Sequence, residues 1–160
     1  YSGGSAVSDA EAEIVMAKSY RDLWYVALKV YLERNGQFFI FRDKYGDWDI
    51  PGGRIQRHEF GVSFERIIAR KLQEEVGPGV RYRLGKPAVF MRHERTEASL
   101  KKRVRIFAVG YTAKYVSGEI RLSPQHTEYR WVSRKTFKAG RYFRGGWLMG
   151  VREYVRQRKL

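Results

Sequence analysis

A proline–glycine turn, Ile50-Pro51-Gly52-Gly53, followed by one strongly periodic helix, limits what this chain can fold into more than any other feature. Pro51 and the paired glycines end a preceding strand and let the backbone approach a ligand closely. Past the turn, Phe64, Ile68, Leu72 and Val76 recur every fourth residue, which predicts a helix over 64–76 with one core-facing stripe. Ser63 suits an N-cap, Glu65 suits the positive end of the helix dipole, and Gly77-Pro78 is a stop signal.

The flanking segments supply a sheet for that stripe. Residues 24–31 are rich in β-formers, Asn35-Gly36 is the strongest short hairpin signal, and 37–41 reads as the returning strand. Strands are expected at 81–84, 88–93, 104–115 and 128–132, with a further short one at 120–122. A charged loop is expected over 94–102, between two of them. A C-terminal helix over 146–158 carries Leu148, Val151, Tyr154 and Val155 on one face. This order predicts an α+β fold, a mixed β-sheet packed between helices, in one domain over 21–160. Residues 1–20 are expected to be a flexible lead-in, with 1–6 an expression remnant. The aromatics Phe38, Phe39, Trp48 and Trp131 are expected as core or loop anchors.

Composition excludes several classes. Hydrophobic residues at 43% and aromatics at 15% rule out a disordered chain, and the absence of cysteine rules out a disulfide scaffold. No apolar run approaches the roughly 20 residues of a membrane span, and the start lacks a signal pattern, so a cytoplasmic protein is expected. A net charge of +15 attracts anions, polyphosphate or nucleic acid foremost.

The chemistry sits on the helix. Glu74 and Glu75 lie away from the apolar stripe, and position 71, three and four residues earlier, shares their side. Clustered carboxylates beside a glycine-turn carbonyl suit a hard divalent cation, Mg²⁺ or Mn²⁺, that bridges to substrate phosphates.

With the glycine turn, this pattern resembles the Nudix box, G-x5-E-x7-R-E-U-x-E-E-x-G-U. Gly53 to Glu59 keeps the five-residue gap, and Arg70-x-Leu72-x-Glu74-Glu75-x-Gly77 keeps the second half. Trp48-Asp49-Ile50-Pro51-Gly52-Gly53 and Glu128-x-x-Trp131-Val132 are also similar to the family. The resemblance implies a Nudix-type α/β/α sandwich and Mg²⁺- or Mn²⁺-dependent hydrolysis of a nucleoside diphosphate linked to another moiety: a sugar nucleotide, dinucleotide or nucleoside triphosphate. It implies Glu59, Glu74, Glu75 and the Gly53 carbonyl (or that of Gly52) as the metal environment, with Glu74 and Glu75 catalytic. Arg70 would orient a carboxylate and Gly77 would close the motif, both structural, while Arg54, Lys71 and Arg92, with Arg95, would contact phosphate.

Two departures stand out. Ten residues separate Glu59 from Arg70 where the box has seven, and Lys71 replaces the glutamate after the box arginine. An ammonium cannot ligate a metal but can contact phosphate itself. Candidates for a displaced base are His93 and Glu94, then Glu97, His126 and Glu128, with His58 a loop residue. Phe64-Glu65-Arg66-Ile67 resembles the GDP-mannose mannosyl hydrolase branch, where a histidine takes the base role. Two alternatives stand beside the hydrolase. One is a catalytically weakened Nudix-fold module binding nucleotide or RNA, and the other a pyrophosphohydrolase of RNA 5′ ends. The expected partner is a small-molecule nucleotide, with RNA suggested by the charge and no membrane involved.

Overall fold

The computed structural model describes residues 8–17 and 20–158. Strands β1 (Trp24–Arg34) and β2 (Gln37–Asp43) form the expected hairpin. Asn35 and Gly36 both adopt positive φ, as the type I′ turn that matches strand twist requires. Then come β3 (Trp48–Asp49), β4 (Gly52–Arg54), a 3-10 turn at Arg57–Glu59 and helix α2 (Phe64–Val76). Strands β5 (Arg81–Glu97), β6 (Lys102–Ser117) and β7 (His126–Ser133) lead to helix α3 (Gly145–Gln157). Helix α1 (Asp9–Ala17) precedes them all.

The strands form one mixed sheet in the order β3-β2-β1-β6-β5, with β4 also pairing β1 and β7 pairing β2. Only β1 and β6 run parallel among the pairs described, from Trp24↔Arg105 to Glu33↔Lys114. β1 is covered on both faces, which explains its near-continuous apolar run. Leu28, Val30 and Leu32 pack with Ile67, Ile68, Leu72 and Val76 of α2. Ala27 and Tyr31 pack with Val151, Tyr154 and Val155 of α3. Tyr31 and Tyr154 stack at 3.9 Å, and the Tyr154 hydroxyl donates to Glu33 at 2.7 Å. The arrangement is the expected α+β sandwich. Among the described residues no helix is long and apolar enough to cross a membrane.

The structure differs from expectation at five places. β5 is one strand across 81–97 rather than two, because irregular pairing around Leu84, Pro87 and Val89 absorbs Gly85 and Pro87 without ending it. The charged loop shrinks to a turn at 98–101. Glu94 instead continues the ladder and pairs with Arg103 at 2.8 Å on the facing strand. Residues 120–122 form no strand; the Arg121 amide caps the helix end by donating to Val76 O at 2.8 Å. Phe64, at the rim of α2, is 48% exposed, and Ile67 enters the core beside Ile68. Within the lead-in, Ser8 and Glu11 form a capping box that starts α1; residues 1–6 lie outside the described residues.

Candidate active site

The glycine turn does more than end a strand. Gly52 and Gly53 open β4 and pair with Lys29 and Leu28 of β1. A Cβ at Gly52, whose φ is +126°, would collide with the Leu28 carbonyl and lie 2.8 Å from Lys29 Cα. Only glycine permits that approach. The Gly52 N–H donates to Glu75 Oε2 at 2.8 Å, so the glycine strand and the last turn of α2 are tied at one point. Burial of the Glu75 carboxyl pushes its pKa up to about 7, against the lowering influence of Lys29, the Gly52 amide and Lys71. A carboxyl poised near neutrality suits proton abstraction or cation binding.

Around it the box residues are closely paired. Glu59 is 4% exposed; its carboxylate accepts from Arg70 Nε and from the Gln56 amide at 2.8 Å. These bonds, the Arg70 one first, hold its pKa below the ordinary value. Arg70 also reaches Glu74 at 3.2 Å, bridging two acids. Lys71 Nζ lies 3.7 Å from Glu74, and its side chain crosses the glycine strand: a Cβ at Gly53 would sit 2.7 Å from Lys71 Cε. Gly77 ends α2 with φ +116°.

The donor set bears on the metal that the resemblance implies. Among the described residues no three acidic or histidine side chains gather as a metal-ligand group. Glu59 is engaged by Arg70 and Gln56, and the Lys71 ammonium lies beside Gly53. Glu74 is exposed but meets Arg70 and Lys71, so a hard cation held by Glu74 and Glu75 would have to displace those two groups from Glu74 and complete its shell with water and substrate phosphate.

Lys29 and Asp49 belong to the site, although no candidate role was expected of either. Lys29 is 5% exposed, and its Nζ donates to both Asp49 oxygens (2.8 and 2.9 Å) and to Ile50 O at 3.2 Å. It also lies 5.3 Å over the Trp147 ring. The available signal was a lone lysine inside the apolar run of β1, where a buried cation needs a partner. Asp49 opens into a cavity of about 450 Å³ shared with Trp48, Trp147, His93, Arg95 and Arg144.

Successive side chains of β5 point to opposite faces, and this sorts the remaining candidates. His93 faces the cavity and stacks on Trp147 at 4.6 Å; its Nδ1 is buried without a hydrogen-bond partner. Burial, and then Arg95, lowers its pKa, so the imidazole is neutral at physiological pH. Arg92 and Glu94 lie on the other face. Arg54 is held by Glu97 at 2.9 Å and lies over Tyr25 at 4.4 Å. His126 stacks on Phe41 at 3.7 Å and meets Ser123 at 2.9 Å; Glu128 lies near Arg42 and Arg130, and His58 is exposed in the 3-10 turn.

A mixed sheet between helices, with a glycine strand tied to a Glu-Glu helix end, defines the Nudix class. The NUDIX domain family model matches residues 25–148, and the chain belongs to that family of Nudix-type hydrolases. Similar solved structures include a MutT protein from Methanosarcina mazei Go1, with TM-score 0.70 and 23% identity over 89% of this chain and 100% of that one. An ADP-ribose pyrophosphatase from Streptococcus suis 89-1591 matches with TM-score 0.61 and 12% identity over 86% and 94% of the two chains. A UDP-X diphosphatase matches with TM-score 0.54 and 14% identity over 96% and 73%. At these identities the likeness establishes the fold. No curated protein matches the sequence.

Proposed function

We propose that this protein is a Mg²⁺- or Mn²⁺-dependent hydrolase of a small nucleotide in the cytoplasm, cleaving a nucleoside diphosphate linked to another moiety. The observation that carries this reading is the Glu75 carboxyl, bonded to the Gly52 amide and raised to about 7, where the glycine strand meets α2. The cavity beside Asp49 has the aromatic walls, Trp48 and Trp147, that a nucleoside fits. Arg95 and Arg144 at that cavity, with Lys71 over Gly53, draw in the diphosphate. Lys29 holds the Asp49 side chain in place. Glu75 takes a proton from the attacking water, and Arg70 holds Glu59 and Glu74 in orientation. A divalent cation bound at Glu74 and Glu75 would neutralise phosphate charge and lower the pKa of water. Neutral His93, with its free Nδ1, is the base available for attack at a sugar carbon, the chemistry of the GDP-mannose branch. Two of the similar structures carry the names ADP-ribose pyrophosphatase and UDP-X diphosphatase, both in keeping with a linked nucleoside diphosphate.

One observation favours a second reading, a binding module with weakened turnover: Lys71 stands beside Gly53, where the family pattern has a glutamate on the helix. A panel of sugar nucleotides, dinucleotides, nucleoside triphosphates and 5′-triphosphate RNA, incubated with and without Mg²⁺, separates the two. Metal-dependent release of a nucleoside monophosphate from one compound is expected. Nucleotide binding by folded protein without release from any compound would sink the hydrolase reading.

A further inference from the structure

The end of the sheet remote from the glycine strand has a different character. Five residues of β1 separate Lys29 from Arg34, roughly 17 Å at the usual strand rise. There a cavity of about 410 Å³ is lined by Arg34, Arg83, Lys114, Arg134 and Arg158, with Glu33 as the sole carboxylate among its lining residues. These side chains come from five parts of the chain, so the cluster is a product of folding rather than a basic tail. Glu33, Lys114 and Arg83 form a row across three neighbouring strands.

The cluster is organised as well as charged. Glu33 is largely buried and accepts from the Tyr154 hydroxyl at 2.7 Å; it meets Arg158 at 2.7 Å and Arg134 at 3.2 Å. One carboxylate thus orients two guanidiniums, each of which has five N–H donors and keeps others free. Arg34 lies 4.0 Å over the Trp131 ring, which fixes its guanidinium by packing. Among the described residues no carboxylate pairs with Arg34, Arg83 or Lys114. The six groups leave an excess of four positive charges around one hollow. Beside the last turns of α3 a second hollow, of about 480 Å³, adds Lys138, Arg141 and Arg152.

We propose that this pole is a second anion site, which binds the phosphates of an extended polyanion independently of the Nudix site. Oriented guanidiniums match phosphate oxygens, and two basic hollows that both draw on the end of α3, through Arg152 and Arg158, suit repeated phosphates better than one. The chain of phosphates belongs to a single-stranded nucleic acid or to inorganic polyphosphate.

The test uses the full chain, a short fluorescent single-stranded RNA and inorganic polyphosphate, with binding read by anisotropy and competition across a salt series. Direct binding of the RNA is expected, with affinity falling as salt rises. Polyphosphate that displaces the RNA would identify phosphate alone as the recognised group; RNA that resists displacement would identify the nucleic-acid strand. Arg83→Glu with Lys114→Glu, both at exposed strand positions, should weaken binding about tenfold or more and make the salt dependence shallower. Lys114→Ala alone should weaken it less, and both variants should turn over small nucleotides as the parent does. Absence of binding to either polyanion, or binding undiminished in a folded doubly reversed variant, would overturn the proposal.

Discussion

The two ends of the sheet use charge in opposite ways. At the glycine strand the cations that meet the site's carboxylates are paired: Lys29 has Asp49, Arg70 has Glu59 and Glu74, and Lys71 has Glu74. At the far pole Arg34, Arg83 and Lys114 surround a hollow in which Glu33 already serves Arg134 and Arg158. Balanced pairs in a half-buried site hold groups in fixed positions, because an unpaired charge there carries a large desolvation penalty. An unbalanced cluster at the surface does little for the fold and attracts anions instead. Net charge alone cannot distinguish these uses; the pairing does.

The sharpest way to break the comparison is Glu75→Gln. Turnover should fall about a thousandfold, within the range general-base groups supply, while the thermal midpoint holds or rises. Parental turnover in the folded variant would remove Glu75 from the chemistry. Next is Lys29→Met, which strands the Asp49 carboxylate and should cost about 2 kcal/mol by denaturant titration, less than a fully buried pair because Asp49 is partly exposed. If stability is unchanged, the pair is not what holds the floor of the cavity. Lys71→Glu should tighten Mg²⁺ binding about tenfold by calorimetry, as a nearby cation gives way to an anion. Weaker binding would mean that position 71 does not face the metal environment.

The smallest effect is a pH dependence. The folded-state pKa of Glu75 is raised to about 7, above its ordinary value, so the folded state holds the proton more tightly than the unfolded chain. That contribution is complete below about pH 4.5 and is lost as pH rises through 7. In metal-free protein, stability should therefore fall by about 1 kcal/mol more across this window than in Glu75→Gln, a figure kept low because the group retains some solvent contact. Parallel stability curves for the two proteins would contradict the raised carboxyl.

The elements whose signals are local were legible in the sequence. The Asn35-Gly36 hairpin, the 64–76 helix and its Gly77 stop depend on backbone preferences and periodicity, and all three stand where expected. The site was legible only in part, because its neighbours come from distant strands. Lys29 reads as an interruption in β1 until Asp49 arrives from β3, twenty residues on. Arg54, free in sequence, meets Glu97 only once β5 runs on past residue 93. His93 and Glu94 looked equivalent until the strand, rather than a loop, sent them to opposite faces. The capping box at Ser8 and Glu11 was a local signal inside a segment expected to be unstructured.

The most direct measurement is a ¹³C side-chain carboxyl titration of Glu75 in metal-free protein, repeated with Mg²⁺. The account predicts a midpoint near pH 7 that moves down when Mg²⁺ is added, as expected of a half-buried base that also binds the cation. A midpoint near 4.5 with no response to Mg²⁺ would contradict it, and would leave the meeting point of β4 and α2 as structure without chemistry.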